Sequence, residues 1–96
     1  MTRRLVVRPR AWRELAEAID WYNGQRPRLG EAFLNSFQAA AKAIADNPLQ
    51  YQMFGKTARR AGLPGFPHGL IYEVSDTEIV ILACFHPSRN PAPWRG

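Results

Sequence analysis

From Ile79 to Phe85 the chain is apolar without a break: Ile79-Val80-Ile81-Leu82-Ala83-Cys84-Phe85, set between Glu78 and His86. Read as a strand, simple alternation puts Ile79, Ile81, Ala83 and Phe85 on one face and Val80, Leu82 and Cys84 on the other. A strand apolar on both faces belongs in the middle of a sheet. The rest of a 96-residue chain must therefore supply neighbouring strands and a cover for at least one face. A chain this short has room for one such core, so a single domain is expected over residues 1–96.

The candidates are legible upstream. Arg3-Arg4-Leu5-Val6-Val7-Arg8 is short and β-branched and reads as a first strand. Pro9 is suited to the first turn of a helix. From Arg10 to about Gln25, Trp12, Leu15, Ala16, Ile19 and Tyr22 fall on one helical stripe, with Glu14, Glu17 and Asp20 marking the other side. Asn23-Gly24-Gln25-Arg26-Pro27 ends that pattern. A second stripe runs through Leu29, Phe33, Leu34, Phe37, Ala40, Ala41 and Ile44 and stops at Asp46-Asn47-Pro48, because Pro48 disfavours helical geometry in Asn47. So short a break predicts an antiparallel helical hairpin.

Leu49 to Lys56 reads as a loop. Strands are expected at Thr57–Leu63, His68–Ser75 and Glu78–His86, and an irregular, proline-rich tail from Pro87 to Gly96. The order is β-α-α-β-β-β: an α+β fold with the helical hairpin packed on one face of a small, curved, mainly antiparallel sheet. The other face has no helix to cover it, and is either solvated or a partner site.

Composition narrows the function. The net charge of +5 rests on eleven arginines and two lysines against eight acids, which suits either an acidic partner or simple solubility. Arginine's fork of donors fits carboxylates and phosphates alike. One cysteine, Cys84, rules out an internal disulfide; with only two histidines, a structural zinc site is not expected. No apolar run approaches the roughly 20 residues of a membrane span, and no apolar segment of a signal peptide follows the basic N-terminus. The expectation is a cytoplasmic protein with no cofactor, no metal and no membrane partner.

Several phrases, in this order, resemble the RelE/ParE toxin superfamily. They are Ala18-Ile19-Asp20-Trp21-Tyr22, Gln25-Arg26-Pro27, Leu29-Gly30, Ala45-Asp46-Asn47-Pro48-Leu49-Gln50-Tyr51, Arg59-Arg60, Phe66-Pro67-His68-Gly69, Ile71-Tyr72 and His86-Pro87-Ser88-Arg89-Asn90-Pro91. The similarity spans nearly the whole chain. It implies the toxin of a type II toxin–antitoxin pair, held inactive by a cognate ParD-like antitoxin with an acidic C-terminal segment. Two activities occur on that fold, which does not choose between them. ParE-like members inhibit DNA gyrase by binding it. RelE-like members cleave messenger RNA on the ribosome, and direct nucleic-acid contact is expected only on that alternative. A third alternative is a non-toxic interaction module.

Ribonuclease chemistry of the RelE kind needs a base for the 2′-hydroxyl, cations for the phosphate and an acid for the leaving oxygen. The resembled nucleases draw on lysines, arginines and a tyrosine near the C-terminus. Here the terminal aromatic is Trp94, which exchanges no proton, and lysine is scarce. The catalytic set of a nuclease would be Arg59, Arg60, His86 and Arg89, with Tyr72 nearby. The ParE-like reading assigns no catalytic residue. It expects Arg60, His86, Arg89 and Trp94 in one region as the target-binding site, and Trp21, Arg3, Arg4 and Arg59 as antitoxin contacts. Each has a plainer alternative. His86 can be a strand-end residue bonded to backbone. Arg59 and Arg60 can be charges guarding an edge strand, at most one of them facing the open side. Trp12, Trp21, Tyr22, Phe33 and Phe37 read first as core or hairpin contacts, with Trp21 off the main stripe and partly exposed.

Overall fold

In the computed structural model, which describes residues 3–88, strand leads into helix without a loop. Strand β1 (Arg4–Val7) gives way to helix α1 (Pro9–Gln25) through Arg8 alone. The Arg8 amide donates to the Ile81 carbonyl, closing the strand pairing, while its own carbonyl accepts from Trp12 and opens the helix. Pro9 at the first helical position costs nothing, since its missing amide would have had no helical partner.

Helix α2 (Leu29–Asp46) starts after a three-residue turn in which Arg28 adopts φ +69°. Arg28 supplies no side-chain cap; the cap comes from the other helix. Asn23 Oδ1 accepts the Gly30 amide at 2.8 Å, so the end of α1 satisfies an orphan donor of α2. A Cβ on Gly30 would lie 2.6 Å from Asn23 and from the Ile19 carbonyl oxygen. This close crossing is what the Leu29-Gly30 pair provides.

Four further strands follow: β2 (Met53–Phe54), β3 (Ala58–Gly62), β4 (Gly69–Val74) and β5 (Glu78–Phe85). The sheet order is β1-β5-β4-β3-β2. β1 lies parallel to β5 and every other pairing is antiparallel, so β5 is an interior strand, as its two apolar faces demand. The architecture is α+β: two helices on one face of an open, curved five-stranded sheet. The stretch expected to be loop contains β2, whose two residues pair with Arg59 and Ala58 after Gly55 turns the chain at φ +85°. Nothing in so short a segment carries a periodic signal.

The main core lies between helices and sheet. Ala11, Leu15, Phe33, Phe37, Ala40, Ala41 and Ile44 meet Ala61, Leu63, Leu70, Tyr72, Ile79, Ile81 and Cys84. Burying one such large side chain contributes roughly 1.5–3 kcal/mol. The α1 stripe is rotated from its expected position. Ala11 and Leu15 are buried, whereas Ala16 is exposed and Trp12 is 53% exposed, resting against Phe37 at a ring distance of 6.3 Å. The small Ala11 lets α1 approach the sheet, and the bulky Trp12 is left at the rim.

The two faces of β5 also differ from simple alternation. Tyr72 pairs with Ile81 but Ile71 pairs with Ala83, leaving Leu82 as an extra residue. Such a bulge resets which side each later residue faces. Cys84 therefore joins Ile79 and Ile81 on the helix side. Ala83 and Phe85 move to the far side, where they form a second small cluster with Ala58, Ile71, Phe54 and Leu82. The helix-free face is thus neither bare nor wholly solvated.

Two groups tie the chain between α2 and β3 to the sheet. Tyr72, on β4, donates its hydroxyl to the Pro48 carbonyl at 2.6 Å. Its β3 neighbour Arg59 donates from Nη1 to the carbonyls of Tyr51 at 2.6 Å and Leu49 at 3.3 Å.

Candidate functional site

The Leu82 bulge separates Phe85 from His86. Phe85 turns to the far face, where the Arg60 guanidinium sits 5.5 Å above its ring and also lies over Gly69. His86 turns to the helix side and meets His68 edge-on at 5.0 Å. His68 is buried at the start of β4, against Phe33 at 4.7 Å and Tyr22 at 5.8 Å. The expected joint region of Arg60 and His86 is therefore not formed: the two lie on opposite faces of the sheet.

On the helix side, a cleft of about 480 Å³ opens between α1 and the end of β5. Glu14, Glu17, Ala18, Trp21 and Tyr22 line it from the helix, with His68, Cys84, His86 and Ser88 opposite. Its geometry follows from where β1 stops. Strand pairing on that side of β5 ends at Val7 and Ile81, followed by the Arg8 amide, and β5 runs on to Phe85. The amide of Cys84 is answered by a side chain instead: Glu14 Oε1 accepts it at 2.9 Å. Glu14 Oε2 meets Arg10 Nε at 3.3 Å, one helical turn away. Glu17, a turn further on, is exposed and forms no ion pair among the described residues.

The ionisation of the cleft is set by burial. It pushes the Cys84 thiol up to about 12, with the Glu14 charge adding to the effect, so this sulfur is no nucleophile. Burial also raises Tyr22. The Ser88 amide donates to His86 Nδ1 at 3.0 Å, and the Ser88 hydroxyl lies 2.7 Å from the same atom. Nδ1 is thereby the accepting nitrogen of the ring. Among the described residues no lysine or arginine lines the cleft, and two carboxylates do. A phosphodiester would meet the repulsion of these two carboxylates here. Among the described residues no group of three or more histidine, cysteine, aspartate or glutamate side chains is placed to hold a metal ion. No helix among them is long and apolar enough to cross a membrane.

The other expected site residues are dispersed. Arg59 faces the helix side, where its guanidinium is taken up by two carbonyls; Arg60 faces the other way. Tyr72 is fully buried, and burial holds its hydroxyl at about 12 despite the lowering influence of Arg59. Arg3 donates to the Ser75 carbonyl and Arg4 pairs with Glu78, both at the start of β5 and far along the strand from His86. Trp21 is 60% exposed at the mouth of the cleft, edge-on to Tyr22. Arg89 and Trp94 lie outside the described residues.

Glu14, Glu17 and His68 were not anticipated. Glu14, Glu17 and Trp21 stand at i, i+3 and i+7 on α1, a spacing that puts them on one side of the helix and was readable as such. His68 carried no such signal, because its neighbours in space come from both helices and from beyond the bulge.

The comparisons with known proteins come to rest on the same fold. A family model described as the ParE toxin of a type II toxin–antitoxin system, parDE, matches residues 5–91. A solved structure titled as a chromosomal ParDE TA system from P. aeruginosa is similar to this chain with a TM-score of 0.79. That match covers 88% of this chain and 96% of the other at 18% identity, a likeness of fold. No curated protein matches significantly. The family match runs from β1 to beyond β5 and takes in every element described above, and on that ground this chain belongs to the ParE toxin family of type II toxin–antitoxin systems.

Proposed function

We propose that this chain is a toxin that acts by binding: it holds DNA gyrase so that cleaved DNA is not resealed, and a ParD-like antitoxin neutralises it. Membership of the ParE family supports the reading. The observation that carries it against ribonuclease chemistry is the employment of Arg59 and Tyr72. Both are spent on carbonyls of the 48–51 segment, and the Tyr72 hydroxyl keeps its proton far above neutrality. His86 faces carboxylates, away from Arg60. A base, a cation and an acid are not gathered on one surface of the described residues, as RNA cleavage requires.

An antitoxin with an acidic segment fits the exposed arginines of α1 and its flanks, Arg8, Arg13, Arg26 and Arg28, and the two exposed tryptophans, Trp12 and Trp21. Such a segment would order as it covers the toxin. Purified protein tested in parallel on gyrase supercoiling and on ribosome-bound messenger RNA should block the first and leave the second intact. Messenger cleavage that His86→Gln abolishes, with supercoiling untouched, would replace this reading by the RelE-like one. A cognate ParD-like antitoxin, co-expressed, should co-purify at moderate salt.

A further inference from the structure

We infer that the cleft between α1 and the end of β5 is a receptor for an arginine side chain carried on a segment of a partner protein. On a chain with a net charge of +5, this cleft is lined among the described residues by Glu14 and Glu17 and by no lysine or arginine. Glu14 is already engaged by Arg10 and the Cys84 amide. Glu17 makes no ion pair among the described residues and stands one turn before Trp21.

Trp21 is 60% exposed at the mouth, with Tyr22 edge-on behind it at 5.0 Å. An aromatic face beside a carboxylate suits a planar guanidinium, which stacks on the ring while its N–H fork meets the carboxylate. An ammonium gains less from the ring, and an anion is repelled. Beyond Ile81 no strand of the described residues lies along the outer edge of β5, and a side chain answers the Cys84 amide. A peptide lying along the cleft therefore meets backbone as well as side chains, which favours a residue on a polypeptide over a free small cation.

The inference rests on the reading that this chain works by holding other proteins, yet its test needs no gyrase, so either can fail alone. The probe is the capped tripeptide acetyl-Gly-Arg-Gly-amide, titrated into the ¹⁵N-labelled protein. Saturable shifts are expected at the indole of Trp21 and the amides of Glu17, Tyr22, Cys84 and Ser88. Glu17→Gln should weaken binding roughly tenfold, the effect of one charge-assisted hydrogen bond. Trp21→Ala should weaken it too. Both positions are exposed, so the fold, read by the unperturbed amides of β3 and β4, should survive. The same peptide with citrulline, which keeps the shape and loses the charge, should not bind. Equal binding of the citrulline peptide, or an unchanged affinity in Glu17→Gln, overturns the assignment. Agmatine binding as tightly as the tripeptide overturns the partner-protein part of it, since the backbone would then contribute nothing.

Discussion

The two halves of β5 are both largely apolar and have different roles. Residues 78–81 lie between β1 and β4 and put Ile79 and Ile81 under the helices. Residues 82–85 lack β1 on one side, contain the bulge, and end with Phe85 and His86 on opposite faces. Hydrophobicity alone cannot tell these halves apart, because both are apolar. The difference is made by chain length: β1 spans four residues and β5 eight, so half of β5 is left without its parallel neighbour. Glu14 then does for the Cys84 amide what a strand would have done. A full strand gives rigidity; a single side chain gives a mouth with room for something else.

The largest effect should come from the first half's cover. Phe37→Ala should destabilise by roughly 3–5 kcal/mol, since a buried phenylalanine under the helices leaves a cavity that its neighbours cannot fill. The denaturation midpoint measures it; a midpoint that does not move would mean that this face of α2 bears no load.

Next is the alkaline limb, which sharpens the contrast because the thiol lies in the second half. The Cys84 value is raised from 9.0 to about 12 on folding, and Tyr72 from 10.0 to about 12. Each group is kept neutral in the folded state and ionises more readily once unfolded. Their contribution is therefore whole below pH 9 and is lost as pH rises towards 12, on the order of a few kcal/mol. Cys84→Ala should leave stability at pH 9–12 less dependent on pH than in the parent. An unchanged slope would show that the thiol does not stay neutral in the fold.

Glu14 tests the stand-in directly. Glu14→Ala should cost about 1–3 kcal/mol by stripping the Cys84 amide of its acceptor, and Glu14→Gln less, since its carbonyl still accepts. Hydrogen exchange should quicken at Cys84 and not at Ile79 or Ile81. Equal quickening along the strand would mean that the two halves open as one.

The smallest effect belongs to the far face. Arg60→Ala removes a guanidinium from the Phe85 ring and should cost about 0.5–1 kcal/mol. A loss as large as that of Phe37→Ala would show that the small far-side cluster is as important as the main core.

Much of the fold was legible. The helical breaks at Asn23–Pro27 and Asp46–Pro48, the interior placement of β5 and the opposite facing of Arg59 and Arg60 all follow from local rules, and all are found. Alternation along β5 was read through the bulge, and the α1 stripe was centred on the largest apolar residue, Trp12, when the helix–sheet approach selected Ala11. The grouping of Arg60 with His86 failed with the bulge. β2 lay below the length at which any pattern exists.

The sequence by itself determined the two helices, the four longer strands and the family, because periodicity, breakers and phrase order are properties of neighbours along the chain. The tertiary structure decided where the cleft opens and what lines it. That depended on β1 ending four residues short of β5, on one extra residue at Leu82, and on a glutamate of α1 reaching an amide seventy positions away. A backbone donor must find an acceptor wherever the fold leaves it. Which acceptor it finds is settled only when distant segments are packed together.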